Sequence, residues 1–73
     1  SKYGREIYVS CNHLESRFNA NDLSDDDKSS ACKVLQGIAH DISTEVMKTP
    51  HYRRVNKETI ALLNHVMDLM CNK

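Results

Sequence analysis

Four histidines and three cysteines are the residues of this 73-residue chain best suited to chemistry, either as metal ligands or as a nucleophile with its base. Their spacing argues against both roles. Cys11 and His13 stand two positions apart, so on a helix they point in different directions. His40 lies opposite the apolar stripe of its segment, and His65 falls on the polar side of its own. No two of them show the Cys-x-x-Cys or His-x-x-x-His spacing of a zinc site, so no metal ligand is assigned. A Cys–His couple for nucleophilic catalysis lacks a glycine-rich turn or an evident oxyanion site beside it. Asp25, Asp26 and Asp27 are consecutive rather than alternating and have no central glycine, which is not the pattern of a calcium loop. A chain this short also has little room for an enclosed pocket. The expectation is therefore no enzyme and no cofactor.

Binding chemistry is better represented. Lys48, His51, Tyr52, Arg53, Arg54 and Lys57 put several donors and an aromatic ring into one short segment. Such a segment can contact phosphates or an acidic partner. The plainer reading is a solvated connector in which Lys48 complements the dipole at the end of a helix. Ser24 before three acids has the form of an acidophilic kinase site, and Thr49-Pro50 the minimum of a proline-directed one. Both patterns are short and common.

The elements that position these residues follow from apolar spacing. Tyr3, Ile7, Cys11, Leu14 and Phe18 recur at three- and four-residue intervals and predict a helix over about 2–18. Asn19 to Ser24 is rich in turn-forming side chains. Ser24 followed by aspartates is a strong helix start, and Ala31, Val34, Leu35, Ile38, Ile42 and Val46 carry a second helix over about 25–48. Pro50 stops it, leaving His51 to Val55 as a loop. Asn56 is the expected N-cap of a third helix over about 56–71. That helix is unusually broad in its apolar face. Ile60, Leu63, Val66, Met67 and Met70 form one stripe, and Leu62 and Leu69 widen it. Either both other helices pack on this face, or part of it meets another molecule.

Composition agrees with a small globular domain: 40% hydrophobic and 27% charged, with formal net charge zero. Zero net charge gives no overall field to attract nucleic acid or a membrane. The charges are nevertheless segregated into an acidic Asp22–Asp27 stretch and the basic 48–57 stretch. Three cysteines at wide spacing do not resemble a secreted disulfide framework, so reduced thiols and an intracellular setting, cytoplasmic or nuclear, are expected. No apolar run approaches a membrane span. The chain opens on Ser1 without methionine, as a processed protein or a fragment of a longer one would.

Arg53 to Leu69, RRVNKETIALLNHVMDL, resembles the end of a histone fold of the centromere-protein or TBP-associated-factor kind. There a basic loop, a short piece with a valine, a polar cap and an acid lead into the last helix, the order seen in Arg53, Arg54, Val55, Asn56, Lys57 and Glu58. The resemblance implies that Arg53 and Arg54 lie near DNA phosphates or a partner, and that the wide apolar face is a heterodimer seam. Pro50, the acidic loop before the second helix and the neutral charge depart from that pattern.

The sequence thus predicts one all-α, three-helix domain over 1–73. Its expected role is protein–protein interaction, through self-association or a partner helix, at Ile60, Leu62, Val66 and Leu69. The alternative is nucleic-acid or acidic-partner contact through Lys48, Tyr52, Arg53, Arg54 and Lys57. No membrane partner is expected.

Overall fold

The computed structural model describes residues 2–72 and contains four helices: α1 (Lys2–Asn19), α2 (Asp25–Lys48), α3 (His51–Val55) and α4 (Lys57–Cys71). No strand occurs among the described residues, and the all-α expectation holds. Ser1 and Lys73, the ends of the expected 1–73 domain, lie outside them.

Each helix boundary has a local cause. α1 ends because Asn21 turns into the left-handed region, with φ 57°. The Asp22 N–H then donates to the Arg17 carbonyl at 2.9 Å and the Asn21 N–H to Phe18 at 3.0 Å. This is the Schellman closure, with asparagine where glycine is commoner. α2 begins on the expected cap. The Asp27 N–H donates to Ser24 Oγ at 3.0 Å, and the Ser24 N–H donates back to the Asp27 carboxylate at 3.2 Å. α2 stops at Lys48, two residues before Pro50.

The expected loop over His51–Val55 is instead the short helix α3. The same Pro50 that ends α2 starts α3, because its fixed φ (−55°) is already helical and its missing N–H is not needed there. Asn56 also departs from its expected role. Its side chain does not cap α4; its Nδ2 donates to the Tyr52 carbonyl at 3.0 Å, and the residue is buried in the corner between α3 and α4.

The bundle runs up, down, up within 36 × 17 × 16 Å. Thr59 Oγ1 donates to the Gly4 carbonyl near one end (3.4 Å), and His65 meets Glu15 further along (2.6 Å), so α1 and α4 are parallel. α2 runs the other way, with Asp25 and Lys28 beside Met70. Among the described residues, no Cα of α1 comes within 8 Å of a Cα of α2, whereas α4 packs closely on both. The core is Ile7, Cys11, Leu23, Leu35, Ile42, Leu63, Val66 and Met70.

The expectation of reduced thiols is corrected. Cys32 and Cys71 form a disulfide with Cα atoms 5.1 Å apart; only Cys11 is free, and it is buried. The antiparallel course of α2 and α4 brings the two cysteines together across a sequence separation of 39. An intracellular setting inferred from free thiols loses that support.

Candidate functional site

α4 is broad because two helices use it. His65, which touches Glu15 of α1, marks one flank, and by the helical period that flank carries Leu62 and Leu69. Cys71, bonded to α2, marks the other flank, with Met67 and Ile60. Leu63, Val66 and Met70 lie between the flanks and are almost wholly enclosed. Leu62 and Leu69 are half-buried and packed against the core. The apolar surplus is thus occupied inside the fold. Val66, at 0% exposure, offers nothing to an outside partner in this arrangement. Of the four expected contacts, Ile60 also lines an open cleft.

That cleft, about 540 Å3, belongs to the basic end of the bundle. Pro50, Arg53, Arg54 and Lys57 line it together with Ile60 and Ala61. A second open cleft, about 580 Å3, is also bounded by Arg54 and Lys57 and adds Arg5 and Tyr8 from α1, with Val55 and Glu58. Three of the five expected basic-segment residues are therefore brought together. Lys48 is exposed at the end of α2 and lines neither cleft. Tyr52 is half-buried against the core and faces a different hollow beside Tyr3, His40 and Glu45. Burial, with the neighbouring Tyr3 and Glu45, raises the pKa of its phenol.

Arg5 and Tyr8 are the residues that sequence reasoning missed. Their only local signal is an i, i+3 spacing at the start of a helix; the join between Gly4 and Thr59, 55 positions apart, brings them to the basic corner. None of Arg5, Lys48, Arg53, Arg54 and Lys57 forms an ion pair with a described residue. Tyr8 is 39% exposed and Val55 59% exposed, so unpaired cations and uncovered apolar surface share one corner. The acids Asp22, Asp25, Asp26 and Asp27 sit at the opposite end, where Arg17 and Lys28 partly neutralise them.

Elsewhere the titratable groups have structural explanations. Hydrogen bonds from the Ser24 backbone and side chain hold the Asp27 carboxylate below its usual pKa. Burial pushes the Cys11 thiol up, away from the reactive thiolate. No group of three or more His, Cys, Asp or Glu suited to a metal ion occurs among the described residues. No helix among them is long and apolar enough to cross a membrane.

Compared with protein families, curated proteins and solved structures, the chain finds no match in any of the three.

Proposed function

We propose that the chain is a non-enzymatic helical protein-interaction module whose basic end receives an acidic, partly apolar segment of a partner. The observation that carries this reading is the convergence of Arg5, Arg54 and Lys57, none of them ion-paired with a described residue, around clefts that also expose Tyr8, Val55 and Ile60. Cations without internal partners remain available for carboxylates, and rim charges of this kind steer an acidic partner and fix its register. Exposed apolar atoms beside them give the same partner something to bury. The interaction role expected from the sequence thereby moves from the apolar face of α4 to the corner where α4 begins.

A phosphate backbone is the competing anion, and the histone-fold resemblance points to it. Two features favour a protein segment. The cations are few for a nucleic-acid site, and Glu58 sits among them. Tyr52, one of the expected nucleic-acid contacts, packs on the core instead, where it is not free to stack on a base.

The test is a fluorescence-anisotropy titration with two probes, an acidic peptide bearing aromatic and leucine side chains and a short DNA duplex, across a salt series. The peptide is expected to bind, and Arg54→Ala with Lys57→Ala to weaken it by about tenfold or more, roughly 1.4 kcal/mol. Tighter binding to the duplex, or no binding of the peptide by folded protein at low salt, overturns the proposal.

A further inference from the structure

The covalent architecture divides the molecule unequally. The Cys32–Cys71 bond closes a loop that contains most of α2, all of α3 and α4. α1 lies wholly outside that loop. Its backbone approaches α4 alone, and toward α2 it reaches only with side chains: Ile7 and Cys11 face Leu35 and Ile38 across a small groove of about 190 Å3, and Phe18 lies under the Lys28 ammonium. α1 is joined to the rest by a short connection, residues 20–24, in which Asn21 is the only non-glycine with positive φ among the described residues. That tight turn is fastened by two Schellman hydrogen bonds and by the Arg17–Asp22 ion pair at 3.5 Å.

From this arrangement we propose that α1 is an exchangeable helix and that a second copy of this chain is its alternative partner. When the Asn21 turn opens, α1 leaves its own α4 and lies on the α4 of the second copy, whose α1 reciprocates. The contacts of the seam are remade across the dimer, among them Gly4 with Thr59, Glu15 with His65, and Ile7 and Cys11 in one core with Leu63 and Val66. Only the turn differs between the two forms. The exchange relieves Asn21 of its left-handed backbone and gives up the two Schellman hydrogen bonds and the Arg17–Asp22 clasp. The disulfide keeps α2, α3 and α4 folded as the platform on which the exchange takes place. The apolar flank of Leu62 and Leu69 is thereby a self-association surface, even though its own α1 covers it in the monomer. In the exchanged form the basic end is rebuilt with Arg5 and Tyr8 of the second copy, so the same residue types meet there in either form.

The experiment is light scattering on size-separated, oxidised protein after concentration, with two turn variants. Asn21→Pro cannot adopt a φ of +57°, so it opens the turn and is expected to raise the dimer fraction by about tenfold or more. Asn21→Gly removes the left-handed cost and is expected to lower that fraction by about threefold. To identify the seam, Glu15→Cys and His65→Cys are introduced together into the dimeric variant. The new disulfide is expected to link two chains, which denaturing non-reducing electrophoresis shows directly. Three results overturn the proposal: an Asn21→Pro protein that stays a folded monomer, one that simply unfolds at all concentrations, or a dimer in which the introduced disulfide lies within single chains.

Discussion

On one flank of α4, the side that carries Met67 and Ile60, α2 is tied by the Cys32–Cys71 bond; on the other, α1 is held without any covalent bond across the seam. Both flanks are apolar, and both feed the same enclosed strip of Leu63, Val66 and Met70. The difference is one of reversibility. The α2 seam cannot part without breaking a covalent bond or unfolding the loop it closes. The α1 seam parts by giving up packing, the Thr59–Gly4 hydrogen bond and the His65–Glu15 contact. A domain this small buries too little surface to be robust without help, and the crosslink supplies that help to one side only.

The largest expected effect comes from removing the crosslink. Closing a loop with a separation of 39 restricts the unfolded chain by about 4 kcal/mol. In a domain of this size each kcal/mol moves the midpoint by about 4–8 °C, so reduction, or Cys71→Ser, should lower the melting temperature by about 15 °C or more. A fall of only a degree or two in calorimetry contradicts the stapled platform. Next comes Leu62→Ala, expected to cost about 2 kcal/mol for a half-buried leucine. In the oxidised protein that loss should appear as faster amide exchange in α1, whereas Met67→Ala should spare α1. If the two variants loosen the same helix, the assignment of flanks is wrong.

The α1 seam can be resolved further through Glu15 and His65. A double-mutant cycle on Glu15→Ala and His65→Ala should return a coupling of about 0.5 kcal/mol, in keeping with a contact that is partly solvated. Chemical denaturation measures it, and a coupling of zero leaves α1 held by packing and the Thr59–Gly4 hydrogen bond. The smallest effect should touch both seams equally, because it acts on the start of α2. Hydrogen bonds from Ser24 hold the Asp27 carboxylate below the ordinary aspartate value of 3.8, so in acid it takes up its proton later in the folded chain than in the unfolded one. The stability it adds is complete above that ordinary value and is lost as pH falls through the lower, folded pKa. Melting midpoints across acid pH should therefore fall less steeply in Asp27→Asn than in the native chain.

Much of this scaffold is legible in the residues. The three long helices sit where apolar spacing, Ser24 with its acids and Pro50 place them, since those signals act over a few neighbouring positions. α3 was not legible, because Pro50 acts both as a stop for α2 and as a start for α3, and only the return of the chain onto α4 selects the second role. The disulfide was hidden for a similar reason. Which two of three cysteines meet depends on the antiparallel course of α2 and α4, a tertiary fact. The breadth of the α4 face was visible, but its cause was not. A face used by two helices and a face left for a partner read alike in one dimension. At the basic corner, Arg53, Arg54 and Lys57 are contiguous enough to be noticed, while Arg5 and Tyr8 join them only through folding.

Native-state hydrogen exchange on the oxidised protein tests most directly whether α1 is the separable helix. The amides of Ile7, Cys11 and Leu14 should exchange through an opening that leaves α2 and α4 intact, at rates about tenfold or more above those of Leu35, Leu63 and Val66. Equal protection in all three long helices, lost together in a single global unfolding, would contradict it.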